Sequence, residues 1–125
     1  MGIQQSGIIL LIDAKVDKYD FSALLIDAVA SHQWLYVGAK VNLVFKETEV
    51  SLAKNLSGMI STRNRMKSTV SLIEIGELIS KVTLDFNGFK IVSVITTRSV
   101  DMLNLIVGNE VEALVKANEI SLMKP

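Results

Sequence analysis

An internal repeat constrains the fold of this sequence more than any other feature. Residues 37–52 match residues 107–122 at a shift of 70 with no gap, and seven of the sixteen positions are identical. The identical pairs are Val37/Val107, Gly38/Gly108, Val41/Val111, Lys46/Lys116, Glu49/Glu119, Ser51/Ser121 and Leu52/Leu122. Self-similarity at a fixed period indicates a duplicated structural unit. We therefore predict two related modules, a first, degenerate module over residues 1–55 and a second, complete module over residues 56–125.

The beginnings of the two modules also align, but at a different shift. Residues 7–13 align with residues 68–74, a shift of 61. The difference of nine residues predicts an insertion in the second module, and residues 96–105 are the best candidate for it. Residues 54–58, which include Lys, Asn, Ser and Gly, are predicted to link the modules.

Short strands dominate both modules. Apolar residues alternate with other residues along 41–46 and again along 111–116, and a period of two is typical of strands. Val44 and Leu114 interrupt the alternation, which indicates partial burial of the second face. Each of these strands follows a Val-Gly pair, where Gly38 and Gly108 can supply the positive φ of a tight turn.

The second module adds a hairpin and one short helix. Residues 81–86 and 89–95 flank Asn87-Gly88, a strong signal for a two-residue hairpin. Ser99 is predicted as the N-cap of a helix with apolar residues at positions 102, 103, 105 and 106. The order of elements predicts an all-β fold class with one short helix, built as two tandem OB-like β-barrel modules.

Composition excludes several classes of function. The chain carries 13 Lys and Arg against 13 Asp and Glu, so no basic excess can neutralise phosphates and we expect no nucleic-acid partner. The absence of cysteine excludes disulfides, thiolate catalysis and zinc fingers. The apolar stretch 7–12 is far shorter than the roughly 20 residues that cross a bilayer, and it lacks the flanks of an export signal. We therefore expect a cytoplasmic protein with no membrane insertion.

Neither catalysis nor a cation site has support in the residues. Asp13, Asp17 and Asp20 lie close together but lack the Gly and the terminal Glu of a calcium loop. His32, the single histidine, has no sequence neighbour that would orient it as a base. Phosphate-loop and dinucleotide-binding fingerprints are missing. We expect no enzyme, no metal site and no cofactor.

Donors suited to an oxyanion are concentrated in the second module. A tetrahedral oxyanion needs hydroxyls, backbone N–H groups and a cation that converge on one point. Ser61-Thr62-Arg63-Asn64 supplies two hydroxyls and a guanidinium, and Thr96-Thr97-Arg98-Ser99 lies where a strand leads into a helix N-terminus. Lys116-Ala117 follows at the end of a strand. The same residues also suit ordinary caps and turns, and the basic run 63–67 suits a solvated face, so the residues alone leave both interpretations open.

Six short motifs follow one another from residue 61 to residue 117. They read Ser61-Thr62-Arg63-Asn64, Lys67-Ser68-Thr69-Val70, Val82-Thr83-Leu84-Asp85, Val94-Ile95-Thr96 with Ser99, Leu105-Ile106-Val107-Gly108, and Val111-Glu112-Ala113-Leu114-Val115-Lys116-Ala117. In this order they resemble the molybdenum-pterin-binding or molbindin (Mop) family, also called the transport-associated OB (TOBE) domain. The sequence departs from the family pattern at Thr62, where Ala is usual, at Ser68, where Gly is usual, and at Arg98, where an acidic or amide residue is frequent. The first half resembles a degenerate second copy, as in the tandem arrangement called di-molbindin.

The resemblance implies binding of molybdate, and commonly tungstate, without chemistry. It implies a homo-oligomer, a dimer or higher, that holds the oxyanion at a subunit interface. One chain would supply Ser61, Thr62, Arg63 and Asn64, and another would supply Thr96, Ser99, Lys116 and Ala117. The first module has neither Ser-Ala-Arg-Asn nor a Thr/Ser helix cap, so we expect sites of the second-module type only, two per symmetric dimer. Lys46, which matches Lys116, is expected to be structural.

Within the resembled family the tandem module occurs in three settings. We favour a free-standing oxyanion binder for intracellular storage, homeostasis or sensing. The alternative is the C-terminal regulatory domain of a molybdate ABC-transporter ATPase, with transporter components as partners, or the effector domain of a molybdate-responsive regulator. A nucleic-acid or oligosaccharide binder on the same barrel would need exposed aromatic side chains for stacking, and Phe86, Phe89 and Trp34 are too few.

Overall fold

The computed structural model describes residues 2–6, 9–26 and 34–125, and the chain divides into two compact units. The first unit comprises Met1–Phe45 and Lys116–Pro125, and the second comprises Lys46–Val115. The strands are β1 (Gly2–Ser6), β2 (Ile9–Val16), β3 (Tyr19–Ile26), β4 (Asn42–Val44), β5 (Ser51–Ala53), β6 (Asn64–Glu74), β7 (Ile79–Phe86), β8 (Phe89–Thr96), β9 (Glu110–Val115) and β10 (Ser121–Met123). The helices found in the described residues are the α-helix α1 (Thr97–Met102) and the 3-10 helices Glu47–Glu49 and Ala117–Glu119. The prediction of an all-β fold with one short helix is confirmed for the described residues.

The second unit contains one antiparallel sheet in the order β5-β9-β6-β7-β8. Burial alternates along β6 from Asn64 to Val70, as expected when one face of a strand covers a core. The first half of β6 pairs with β9 and its second half pairs with β7, and the β6-β7 ladder has a register shift between Val70 and Leu72. The buried apolar residues of this unit include Val50, Met66, Val70, Val82, Leu84, Phe86, Val100, Leu105, Val111, Ala113 and Val115.

The described residues of the first unit form two sheets, β1-β2-β3 and β10-β4. Its core is built on the fully buried Leu10, Ile12 and Leu35. The partly buried residues Ile3, Leu25, Trp34, Val41 and Leu122 pack against them. Because Leu122 lies on β10, the last strand of the chain helps to complete the core of the first unit.

A shift of 70 residues relates the two units, and the last strands of the two modules are exchanged. In the second unit β5 pairs with β9, with Ser51 opposite Leu114. In the first unit β10 pairs with β4, with Ser121 opposite Val44. Each module therefore contributes its last strand to the unit that the other module mainly forms. For this reason the bounds of the compact units differ from the module boundary between residues 55 and 56. That boundary comes from the sequence repeat and not from the pairing of strands.

The predicted nine-residue insertion in the second module is wrong. The β2-β3 hairpin pairs Ile9 with Ile26, and the β7-β8 hairpin pairs Ile79 with Thr96, so β2 corresponds to β7 at a shift of 70. Strands with alternating apolar residues resemble one another in many registers, and a short match such as 7–13 with 68–74 cannot identify the true partner. The helix α1 spans Thr97–Met102, and residues 27–32, at a shift of 70 from it, lie outside the described residues.

The predicted turns are confirmed by backbone geometry. Asn87 and Gly88 have φ values of 50° and 93° and join β7 to β8 as a two-residue hairpin. Gly38 and Gly108 have φ values of 93° and 95°, in the left-handed region that glycine enters without strain. One backbone hydrogen bond closes each Val-Gly turn. Ala39 N donates to Tyr36 O at 2.9 Å in the first turn, and Asn109 N donates to Ile106 O at 3.1 Å in the second.

None of the helices in the described ranges is long and apolar enough to span a bilayer.

Candidate functional site

Thr96 and Ser99 come together where β8 ends. Thr96 has an extended backbone (φ −68°, ψ 146°) and is the N-cap of α1. Its Oγ1 accepts a hydrogen bond of 3.1 Å from Ser99 N, and the two hydroxyls share a further hydrogen bond of 2.8 Å. The prediction of Ser99 as the N-cap is wrong by three residues, because the helix begins at Thr97 and Ser99 lies within its first turn. The two predicted hydroxyls are nevertheless adjacent.

A cavity of about 310 Å³ opens beside Ser99, and Thr96 lies on a different cavity. Its lining residues are Ser51, Leu52, Ile95, Ser99, Met102 and Leu103. Ser51 reaches the cavity from β5, the strand that the first module contributes to the second unit. Sequence reasoning missed Ser51 because it used the Ser51/Ser121 identity only as evidence of the repeat. Ser51 lies in the second unit only because the modules exchange their last strands, and no local sequence pattern indicates that exchange.

Two further hydroxyls fix the beginning of α1. Ser80 Oγ and Thr97 Oγ1 are 2.7 Å apart, and Thr97 Oγ1 donates to Gly76 O at 2.8 Å. Thr97 N also donates to Leu78 O at 2.9 Å. These hydrogen bonds connect the first residue of α1 to β7 and to the loop before it, so they hold the segment that carries Thr96 and Ser99 in place.

Asn64 is a buried structural anchor at the end of the predicted Ser61–Asn64 motif. Its side chain is 0% exposed, and its Nδ2 donates a hydrogen bond of 2.9 Å to Val115 O. Asn64 is also opposite Val115 in the β6-β9 ladder. Since Lys116 follows Val115 directly in the chain, the Asn64 side chain fixes the strand end from which Lys116 and Ala117 continue.

The three residues before Asn64 are the accessible part of this motif. Ser61 and Arg63 are exposed, and Thr62 is half-buried. Within the described ranges, none of these three side chains makes a hydrogen bond or an ion pair to another residue, and none joins this motif to Thr96 or Ser99. The guanidinium of Arg63 therefore has no carboxylate partner among the described residues.

Lys116 and Lys46 occupy matching positions in the two modules. Each precedes a 3-10 helix as its N-cap, with backbone angles of −66° and 147° at Lys116 and of −80° and 144° at Lys46. Both side chains are exposed, and neither forms an ion pair with any residue that the structure describes. Ala117, half-buried, begins the 3-10 helix after Lys116.

The basic run 63–67 carries less free positive charge than its sequence indicates. Arg65 binds Glu112 with two hydrogen bonds, at 2.6 Å from Nε and 2.9 Å from an Nη atom. This charge-assisted pair lowers the pKa of the Glu112 carboxyl and raises the pKa of the Arg65 guanidinium. Arg65 is therefore a cross-strand partner of Glu112, while Arg63 has no ion-pair partner in the part of the chain that the structure describes.

Arg98 lies on a different cavity from Ser99. This cavity, of about 520 Å³, is lined by Glu77, Leu78, Thr96, Thr97, Arg98 and Asp101. The guanidinium of Arg98 thus shares its surroundings with two carboxylates, which reduces the positive potential that a free anion would meet there.

No group of three or more His, Asp or Glu side chains is arranged to hold a metal ion in the residues that can be described. His32 lies outside those residues.

Comparison with known proteins supplies the context for this arrangement. The TOBE domain model matches residues 60–122. The chain is 37% identical over 121 residues to the molybdenum import ATP-binding protein ModC of Brucella abortus (strain 2308), and the match covers 93% of this chain and 33% of ModC. It is 33% identical over 108 residues to the molybdenum-pterin-binding protein MopB of Rhodobacter capsulatus, with 85% of this chain and 40% of MopB covered. The chain thus spans about a third of the length of the ModC proteins it matches.

Two solved structures match the fold, one of them over nearly the whole chain. The cytoplasmic molybdate-binding protein ModG, with molybdate bound, superposes with a TM-score of 0.91 at 28% identity over 98% of this chain and 89% of that chain. A molybdate-binding protein from Sporomusa ovata is 40% identical and covers 54% of this chain and 100% of its own length, with a TM-score of 0.53. The predicted tandem OB-like molbindin fold is confirmed by the similarity to ModG.

Proposed function

Because the chain belongs to the TOBE domain family, we propose that it binds molybdate through residues of its second module. The observation that carries the proposal is the likeness to molybdate-bound ModG over 98% of this chain. The matches to ModC and MopB, two further proteins named for molybdenum, support the same ligand.

The donor chemistry of the second module suits a tetrahedral dianion. The Thr96–Ser99 pair offers two hydroxyls 2.8 Å apart, and Ser51 lies on the same cavity as Ser99. Arg63 and Lys116 are two cations with no ion-pair partner among the described residues, enough to balance two negative charges. Charge-assisted hydrogen bonds from such groups are about twice as strong as neutral ones. No step of bond making or breaking is part of the proposal, and no cofactor is required.

The complete site combines residues from two chains. In this proposal Ser61, Thr62, Arg63 and Asn64 of one chain face Thr96, Ser99, Lys116 and Ala117 of its partner. Among the described residues of one chain, the side chains of Ser61, Thr62 and Arg63 make no hydrogen bond to Thr96 or Ser99, which supports this division. Asn64 acts mainly by anchoring the strand end at Val115, and Arg63 and Lys116 contribute the charge. The protein then works as a homo-oligomer.

Tungstate binds at the same site in this account, since it has the same charge and tetrahedral shape as molybdate. The role of binding is storage, homeostasis or sensing of the oxyanion in the cytoplasm. The second candidate is a regulatory portion of a molybdate importer, and the match of 93% of this chain to a third of ModC favours it. In either setting the ligand and the site residues are the same.

Isothermal titration calorimetry with molybdate, tungstate and sulfate tests the proposal, on the wild type and two matched variants. Lys116→Ala removes the proposed ligand, and Lys46→Ala removes its counterpart, which has the same backbone conformation and exposure. We expect saturable heats with molybdate and tungstate but not sulfate, a loss with Lys116→Ala, and retention with Lys46→Ala. Absence of heat from a folded oligomer, or equal losses in the two variants, would refute the assignment.

A further inference from the structure

The last strand of the first module forms one wall of the cavity that Ser99 lines. That strand, β5, pairs with β9 in the second unit, and the ladder fixes Ser51 opposite Leu114. Ser51 and Leu52 line the cavity from β5, and its other lining residues come from the end of β8 and from α1 with its C-cap. We call this space of about 310 Å³ the Ser51–Ser99 cavity.

Side-chain hydrogen bonds hold the two sides of the Ser51–Ser99 cavity together. Lys54, which follows β5 directly, donates from Nζ to Leu103 O and to Asn104 O, both at 3.0 Å. Carbonyl groups at the C-terminal end of a helix attract a cation, and Leu103 is the C-cap of α1. At the other end of β5, Ser93 Oγ donates to Val50 O at 2.6 Å. The cavity is therefore formed before any ligand enters it.

Ser51 and Ser99 provide the hydroxyl groups of this cavity. The other lining residues are the apolar Leu52, Ile95, Met102 and Leu103. An anion placed against apolar side chains is costly unless hydrogen-bond donors meet it. Thr96 Oγ1 accepts from Ser99 N and lies 2.8 Å from Ser99 Oγ. When the Thr96 hydroxyl donates to Ser99 Oγ, the proton of the Ser99 hydroxyl is free for an anion in the cavity.

The hydroxyl of Ser51 can supply a second donor to the same anion. The side chain is exposed, and it makes no hydrogen bond to any residue in the ranges 2–6, 9–26 and 34–125. An exposed side chain without such a contact contributes little to stability. Its position on the cavity is therefore the property to which a function can be assigned.

The counterpart of Ser51 in the repeat has a different setting. Ser121, at a shift of 70, is also exposed and lies opposite Val44 in the β10-β4 ladder. The positions that match Thr96 and Ser99 hold Ile and Val in the first module, so the sequence supplies no hydroxyl there. Ser121 is for this reason a matched control for Ser51.

We propose that Ser51 is a further ligand of the oxyanion and donates a hydrogen bond to it from the β5 wall of the Ser51–Ser99 cavity. The inference rests on the proposed function, and it adds a residue of the first module to a site otherwise drawn from the second. A tetrahedral dianion has enough acceptor oxygens to take hydrogen bonds from Ser51 and Ser99 at once. The degenerate first module is then required for binding, because β5 belongs to its sequence.

Removal of one hydroxyl at a time tests the inference by isothermal titration with molybdate. Ser51→Ala should weaken binding roughly ten- to hundredfold, because a hydrogen bond to a charged ligand is lost. Ser121→Ala should keep the Kd within about twofold of wild type. Without ligand, Ser51→Ala should unfold in urea at the wild-type midpoint, which separates loss of a ligand group from loss of stability.

A carboxylate at the same two positions provides a second test. Ser51→Asp puts a negative charge on the cavity and should remove saturable binding of the dianion. Ser121→Asp should bind molybdate as wild type does. Because the two variants have the same net charge, a difference between them reports on local repulsion and not on the charge of the whole protein.

The outcomes distinguish this inference from the proposed function. If wild type does not bind molybdate, the proposed function fails and the role of Ser51 fails with it. If wild type binds and Lys116→Ala does not, while Ser51→Ala binds as wild type does, the proposed function stands and Ser51 is not a ligand. Equal losses in Ser51→Ala and Ser121→Ala would also overturn the inference.

Discussion

Replacement of Asn64 by Ala should destabilise the protein even when no oxyanion is present. The side chain is fully buried and donates to Val115 O at 2.9 Å, and Val115 itself is 1% exposed. The variant loses this hydrogen bond and leaves the carbonyl short of a partner that water cannot replace, at a cost of about 1–3 kcal/mol. The missing side-chain atoms leave a small cavity, which raises the expected loss to roughly 2–4 kcal/mol in total.

Urea denaturation of the ligand-free protein measures this loss. With a slope of about 2 kcal/mol/M, in the middle of the usual range, the midpoint should fall by roughly 1–2 M. Arg63→Ala, one residue earlier and exposed, is the matched control and should change the unfolding free energy by less than about 0.5 kcal/mol. If Asn64→Ala unfolds at the wild-type midpoint, the side chain does not anchor the end of β9 and the reasoning fails.

Three further perturbations follow from the same structure. Thr96→Val removes the N-cap acceptor of Ser99 N and should lower the unfolding free energy by about 1 kcal/mol in urea titrations, whereas Ser99→Ala keeps that backbone donor and should cost less. Gly108→Ala places a side chain at a φ of 95° and should lower the thermal midpoint, and a rise would contradict the left-handed turn. The Arg65–Glu112 pair lowers the pKa of Glu112, so its stabilisation is present above the ordinary value of 4.5 and is lost as the pH falls through the lower folded value. The stability advantage of wild type over Glu112→Gln should therefore shrink between about pH 7 and pH 3, and a constant difference would show that the pair does not couple to protons.

Local features of the fold could be predicted from sequence because they depend on neighbouring residues. The Asn87-Gly88 hairpin and the turns at Gly38 and Gly108 require positive φ, and glycine or asparagine at those positions is a direct signal. The period of two along residues 111–116 predicts a strand, and Val111, Ala113 and Val115 of β9 are buried.

Features that depend on distant pairing could not be predicted in the same way. The exchange of β5 and β10 between units leaves no local mark, since either pairing satisfies the same apolar pattern. The predicted shift of 61 at the start of the modules is wrong for the same reason. β2 and β7, which correspond at a shift of 70, share an alternating pattern but little identity. The sequence does not distinguish Ser99 from Thr96 as the N-cap of α1, because both are good capping residues and they lie three positions apart.

The candidate site also combines features that neighbouring residues determine with features that depend on distant pairing. The adjacency of Thr96 and Ser99 followed from their spacing at a strand-to-helix transition, and the structure places their hydroxyls 2.8 Å apart. The assignment of the eight residues to one ligand came from resemblance to the family, and it stays a prediction. Ser51 and the buried anchoring role of Asn64 emerged only from the tertiary pairing of β5 with β9 and of β6 with β9.

A crystal structure of the protein with molybdate, with anomalous data collected at the molybdenum edge, tests the proposed site. We expect one anomalous peak per chain, with oxyanion oxygens roughly 3 Å from Lys116 Nζ and from the hydroxyls of Thr96 and Ser99. We also expect the Ser61–Asn64 motif at that peak to belong to a neighbouring chain. A peak elsewhere, or one enclosed by a single chain without Lys116, would contradict the account.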